Sequence, residues 1–225
     1  MDGRTAIFDL DGTLVDTSRD LIAAANACFQ AQGVAPPLDP LADAATAFAG
    51  GRAMLRLGFA RLGRSDAEAE IDRWYPRLLA FYETVIDRDS RPYPGAMEAV
   101  DRLRRAGWRV GVCTNKPEAL AVLLMERLGM RGAFGALVAA DTLPVRKPDP
   151  APYLETVRRV GGDPARSFLL GDTVTDRDTA RAAGVPVALV TFGPEGRGIA
   201  RLAPDALLEA YADLDALAEA FHPTR

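Results

Sequence analysis

From Arg91 onward the sequence repeats one pattern. Short apolar runs of strand formers alternate with stretches of helical periodicity, and each stretch closes on glycine or proline. Runs at 108–113, 136–139, 167–170, 187–190 and 206–209 read as strands, and 96–106, 118–128, 148–160, 175–183 and 214–221 as helices. Unbroken apolar runs suit strands covered on both faces, and strand–helix alternation suits a parallel sheet with helices on both sides. The run Thr5-Ala6-Ile7-Phe8 fits the same sheet, yet no returning helix and strand follow it promptly.

Residues 16–90 instead carry helical spacing throughout. Leu21, Ile22, Ala25, Cys28 and Phe29 form one stripe behind the capping residues Asp16, Thr17 and Ser18, and Gly33 closes it. A short helix is expected over 38–48, and Gly50-Gly51-Arg52 as a hinge or loop before the stripe of Met54, Leu55, Leu57 and Leu62. Ser65 to Glu68 has the capping-box pattern, and Ile71, Trp74, Leu78, Tyr82 and Val85 mark a long amphipathic helix with Pro76 as an expected kink. The expected organisation is a core of residues 1–15 and 91–225, with 16–90 as a helical cap above the carboxyl ends of the strands.

With a net charge of -4, the chain offers no basic patch for nucleic acid. It has no apolar stretch of membrane-span length and no signal-peptide core, so the expected location is cytoplasmic. Cys28 and Cys113 make neither a disulfide framework nor a metal set, and the one histidine, His222, argues against a histidine triad. Acid–base work therefore falls to carboxylates, lysine or water. Of 27 basic residues only Lys116 and Lys147 are lysine, each beside a proline.

Polar groups cluster where strands end: Asp9 and Asp11, Thr114 and Asn115, Lys147 in the loop after 136–139, and Asp172 and Asp176. In a parallel sheet such ends share one edge, where ligands bind. Asp11-Gly12 alone also suits a surface turn. Together the clusters describe a phosphate site. A carboxylate can attack phosphorus, several acids suit Mg²⁺, and lysine offsets the charge of an anionic nucleophile meeting an anionic ester.

Asp9-Leu10-Asp11-Gly12-Thr13, Thr114, Lys147 within Arg146-Lys147-Pro148, and Gly171-Asp172-Thr173-Val174-Thr175-Asp176 resemble, in order, the four motifs of the haloacid dehalogenase-like hydrolase superfamily. Thr114-Asn115-Lys116-Pro117, the stretch from Thr179 to Pro186 and Val190-Thr191-Phe192-Gly193 are similar to phosphoglycolate phosphatase-type members. The resemblance implies a Rossmann-like core with an inserted all-helical cap, a Mg²⁺ cofactor, and a small phosphorylated metabolite, 2-phosphoglycolate first, as substrate. It implies Asp9 as nucleophile and metal ligand. Asp11 would be acid, then base, giving its carbonyl to the metal. Asp172 would be the second carboxylate ligand, and Asp176 would bind the metal or orient its waters. Gly12, Thr114, Asn115 and Lys147 would hold the phosphoryl group. Thr173 stands where serine is usual, and Asp178 is either an extra acid near the metal or a solvated helix residue.

Other readings share the motifs. Arg52 suits a substrate carboxylate, and equally suits an ordinary surface position. A different substrate, such as a sugar phosphate, nucleotide or pyrophosphate, would need only a different cap. Dehalogenases of the superfamily lack an acid at the position of Asp11, phosphonate hydrolases use a cap lysine that is absent here, and phosphosugar mutases place a histidine where this chain has Leu21. A non-catalytic binding protein would show eroded motifs. Monomer and homodimer are equally compatible with the sequence.

Overall fold

The structure, a computed structural model, describes residues 3–64 and 66–224. Two compact units emerge, one built from the chain up to Val15 and from Pro92 onward, the other from Asp16–Arg91.

The chain starts in β1 (Thr5–Phe8) and leaves the first unit through β2 (Val15–Asp16). The second unit is four helices: α1 (Ser18–Gln30), α2 (Ala44–Phe48), α3 (Gly51–Arg61) and α4 (Glu68–Val85). Their inward faces, including Ile22, Phe29, Met54, Phe59, Trp74 and Leu78, form one buried cluster. Asp16 Oδ1 accepts the Ser18 N–H and hydroxyl, so the cap of α1 comes from two residues ahead of the helix. The helix expected over 38–48 shrinks to α2. Pro40 lacks an N–H, and Asp39 Oδ1 takes the N–H groups of Leu41 and Ala42, which holds that stretch in a turn. Gly51 already belongs to α3, and the glycine that turns the chain is Gly50 at φ +98°. Helix α4 is continuous through Pro76. Ser65, expected as its cap, lies outside the described residues. Asp20, fully buried, accepts the N–H groups of Asp89 and Ser90 and the Ser90 hydroxyl, which ties the end of the unit to its first helix.

The chain returns through β3 (Arg91–Pro92), which pairs with β2, and then runs α5 (Ala96–Arg105), β4 (Arg109–Cys113), α6 (Glu118–Arg127), β5 (Ala136–Val138), α7 (Ala151–Arg159), β6 (Ser167–Gly171), α8 (Val174–Ala183), β7 (Val187–Val190), β8 (Ala206–Leu208) and α9 (Leu214–Phe221). Six strands form a parallel sheet in the order β5-β4-β1-β6-β7-β8. Both neighbours of β1 are late strands: Phe8 pairs with Val112 and with Leu170. The chain thus switches sides at β1, and the crevice beyond its carboxyl end is the ligand position in such sheets. All four β1 residues are buried, as an unbroken apolar run at the centre of a two-faced sheet requires. Helix α7 starts at Ala151 rather than 148, because Pro148 and Pro150 disfavour helical backbone before them and Asp149 Oδ1 takes the Ala151 N–H.

Candidate active site

The acidic site grows out of the carboxyl ends of β1, β4 and β6. After Phe8 the Asp9 N–H still pairs with Leu170 O, so Asp9 leaves from a strand position. The chain then turns. Leu10 O accepts the N–H groups of Leu14 and Val15, and Gly12 sits at φ +83° with its N–H on Val15 O. That backbone region is costly for any residue with a Cβ.

Asp9, Asp172 and Asp176 are buried, and each offers one oxygen within 4.8 Å of the others. Lys147 is 3% exposed, with Nζ 2.6 Å from Asp176 Oδ1 and 3.0 Å from Asp9 Oδ1. Asp176 folds back over the start of α8. Its Oδ2 accepts the N–H groups of Asp172 and Thr173 and the Thr173 hydroxyl, at 3.2, 3.1 and 2.8 Å. This is possible because residue 171 is glycine. A Cβ there would lie 2.3 Å from both Cβ and Cγ of Asp176. Asp172 Oδ1 accepts the Thr13 hydroxyl at 3.0 Å, and Thr13 O in turn accepts Tyr211 Oη–H.

The electrostatics are unbalanced. Three carboxylates face one ammonium. Burial, with Asp176 and Asp11 adding to it, pushes Asp9 up to about 6 against the pull of Lys147. Burial, then the charges of Asp176 and Asp9, raises Asp172 well above the usual carboxylate range. Burial opposes the charge on Lys147, but Asp176 and Asp9 outweigh it and hold its ammonium well above the ordinary lysine range. Asp9 Oδ1 is buried and has no well-directed hydrogen bond, although Lys147 is 3.0 Å away. An all-oxygen donor set with surplus negative charge and one unsatisfied oxygen fits a small hard cation such as Mg²⁺.

Asp11 stands apart from that trio. Both its carboxylate oxygens meet Lys116 Nζ, at 2.9 and 3.2 Å. Thr114 is 3% exposed at the end of β4, and its hydroxyl accepts the Lys116 N–H. Asn115 Nδ2 donates to Lys147 O at 2.9 Å, so this side chain fixes the loop that delivers Lys147. In the helical unit, Arg52 is paired with Asp72 at 2.7 Å and Glu68 at 3.3 Å. Asp178 is half-exposed and pairs with Arg177.

Two contributors escaped the sequence reading. Thr13 stands in the first motif, but nothing in the sequence assigns it a role or a partner. Lys116 was marked by the scarcity of lysine, but its partner was not. Cys113 is buried, and burial pushes its thiol up to about 12, the setting of a structural cysteine. His222 lies on Ser167 O, at the amino end of β6, opposite the acids.

A family model described as a haloacid dehalogenase-like hydrolase matches residues 4–184. A phosphoglycolate phosphatase of Agrobacterium fabrum is 42% identical over 210 residues, covering 93% of this chain and 89% of that protein. One from Mesorhizobium japonicum is 40% identical over 205 residues, covering 91% and 90%. Among solved structures, a predicted phosphoglycolate phosphatase from Haemophilus somnus superposes with a TM-score of 0.84 at 24% identity, over 96% of this chain and 98% of that one.

Proposed function

We propose that this chain, which belongs to the haloacid dehalogenase-like hydrolases, is a Mg²⁺-dependent phosphatase that hydrolyses 2-phosphoglycolate through an aspartyl phosphate. The observation that carries the reading is the trio of buried acids held around one lysine at the carboxyl end of β1. The relatives named phosphoglycolate phosphatase, at about 40% identity over nine-tenths of the chain, support the substrate.

Asp9 and Asp172 would hold the cation. Asp176, whose oxygens already accept from Lys147, Asp172 and Thr173, orients the rest of the set. The bound cation supplies charge neutralisation between the anionic nucleophile and the anionic ester. Lys147 does the same from the protein side and aims the Asp9 carboxylate. Thr114 contributes its hydroxyl to a phosphoryl oxygen.

A carboxylate oxygen of Asp9 attacks phosphorus. The bond to the ester oxygen breaks, and its electron pair leaves on glycolate, which takes a proton from Asp11. Water then attacks the phosphorus of the acyl phosphate and gives its proton to Asp11, and the Asp9 carboxylate is released. In this reading residues 16–90 act as the cap that selects the substrate. Arg52 enters only if it exchanges Asp72 and Glu68 for the substrate carboxylate.

A panel of phosphate monoesters, assayed with Mg²⁺ and with chelator, tests the proposal. It predicts 2-phosphoglycolate as the ester with the highest kcat/KM and no turnover with chelator. A sugar phosphate or nucleotide ranking far above it would replace the substrate, and metal-independent turnover would contradict the site.

A further inference from the structure

We infer that Lys116 is a positioning residue that fixes the Asp11 carboxyl for proton transfer to the leaving group. The inference rests on the phosphatase reading above. Both lysines of this chain end on carboxylates at the same sheet edge. Lys147 serves Asp9 and Asp176, whereas Lys116 grips both oxygens of Asp11.

The pair is built asymmetrically. The Lys116 side chain is 3% exposed and that of Asp11 is 18% exposed. The ammonium is thus enclosed, while the carboxyl keeps an open side on which a ligand oxygen can sit. The base of the lysine is clamped as well. Its N–H donates to Thr114 Oγ1 at 3.2 Å, and its carbonyl accepts the Ala140 N–H at 3.1 Å. An ion pair so deeply enclosed is weak evidence of a stabilising device, because desolvation offsets most of its Coulomb gain. Its geometry has a more specific use. Nζ is closer to Oδ1 than to Oδ2. Contact with both oxygens fixes the plane of the carboxyl group, and its open side is left to face the ester oxygen. Asp11 lies beyond β1, just before the turn at Gly12, so strand pairing does not fix that plane. Lys116 acts through Asp11 and touches no reacting atom.

Leaving-group dependence is the test. Alkyl phosphates such as 2-phosphoglycolate need a proton on the departing oxygen, whereas p-nitrophenolate leaves without one. Lys116→Met should lower kcat on 2-phosphoglycolate by about 100-fold, the lower end of what a positioned general acid supplies. On p-nitrophenyl phosphate the loss should stay within about 3-fold, and KM for 2-phosphoglycolate should hardly move. The second arm compares Asp11→Asn with the Asp11→Asn/Lys116→Met double variant on p-nitrophenyl phosphate and 2-phosphoglycolate. There the lysine change should add nothing, as expected when one residue acts only through the other. The double variant strands no buried charge, and this arm stands even if K116M alone fails to fold. Equal losses on both esters, a rise in KM confined to carboxylated esters, or a further loss in the Asp11→Asn background would overturn the inference. Wild-type protein inactive on every ester would instead remove the phosphatase reading beneath it.

Discussion

At the level of single residues the site depends on side chains whose partners lie far away in the chain. Thr13 holds Asp172 across 159 positions of sequence, through one hydroxyl at 3.0 Å. Thr13→Val keeps the shape and removes the donor. Partners that orient metal ligands are commonly worth 10- to 100-fold in metal affinity, so the Mg²⁺ concentration giving half-maximal activity should rise by about 10-fold or more. An unchanged Mg²⁺ titration would show that Asp172 needs no such support. The sequence made the acids legible, because Asp9, Asp11, Asp172 and Asp176 each sit just beyond an apolar run. It left the polar partners hidden, since threonine after a turn is commonplace and a lysine carries no mark of which carboxylate it will meet. The backward fold of Asp176 was hidden for the same reason. It depends on the missing Cβ of Gly171, a steric fact with no sequence period.

The elements show which local signals survive folding. Buried strands β1, β6 and β7 stand within a residue of their apolar runs, because hydrophobic burial on both faces leaves little choice of span. Helix starts moved more. Asx turns at Asp39 and Asp149 took N–H groups that helical spacing alone would have assigned to helices. Within the helical unit, α1 and α3 approach closely at Gly58. A Cβ there would lie 2.3 Å from Phe29 Cζ and 3.2 Å from Pro37 Cγ. Phe29 is fully buried and stacks edge-on against Phe59 at 5.0 Å, so it has little room to yield. Gly58→Ala gains about 1 kcal/mol of helix propensity and costs about 1–3 kcal/mol of overpacking. The net expectation is a protein about 1 kcal/mol less stable by denaturant titration. A stabilised variant would mean that the ring moves aside freely.

On the scale of the whole molecule, the candidate site is assembled at a cost to the fold that carries it. Asp9, with an ordinary value near 3.8, is pushed up to about 6 by burial. A carboxyl whose folded value is raised contributes stability that is complete below about 3.8 and lost as pH climbs through about 6. For Asp9 alone the loss is about 3 kcal/mol. Lys147 stays charged across that window and adds no slope. A bound divalent cation removes the penalty, and at low pH it must also displace the proton. The rise in Tm produced by Mg²⁺ should therefore be larger at pH 8 than at pH 5. A rise independent of pH would mean that the cation does not bind at Asp9. No helix among the described residues is long and apolar enough to cross a membrane. The parallel sheet and its crevice were legible as a whole, because strand–helix alternation and acids at strand ends are both written locally. The substrate was legible only through the resemblance to phosphoglycolate phosphatase-type sequences, since no local pattern of residues specifies it.

The most direct measurement is the rate of 2-phosphoglycolate hydrolysis by Asp9→Asn beside the wild type, with saturating Mg²⁺ and with folding of the variant verified by its melting curve. Replacing the proposed nucleophile while keeping its shape should lower kcat by at least ~1000-fold in a folded protein. A folded variant that turns over at the wild-type rate would show that phosphate transfer does not pass through Asp9.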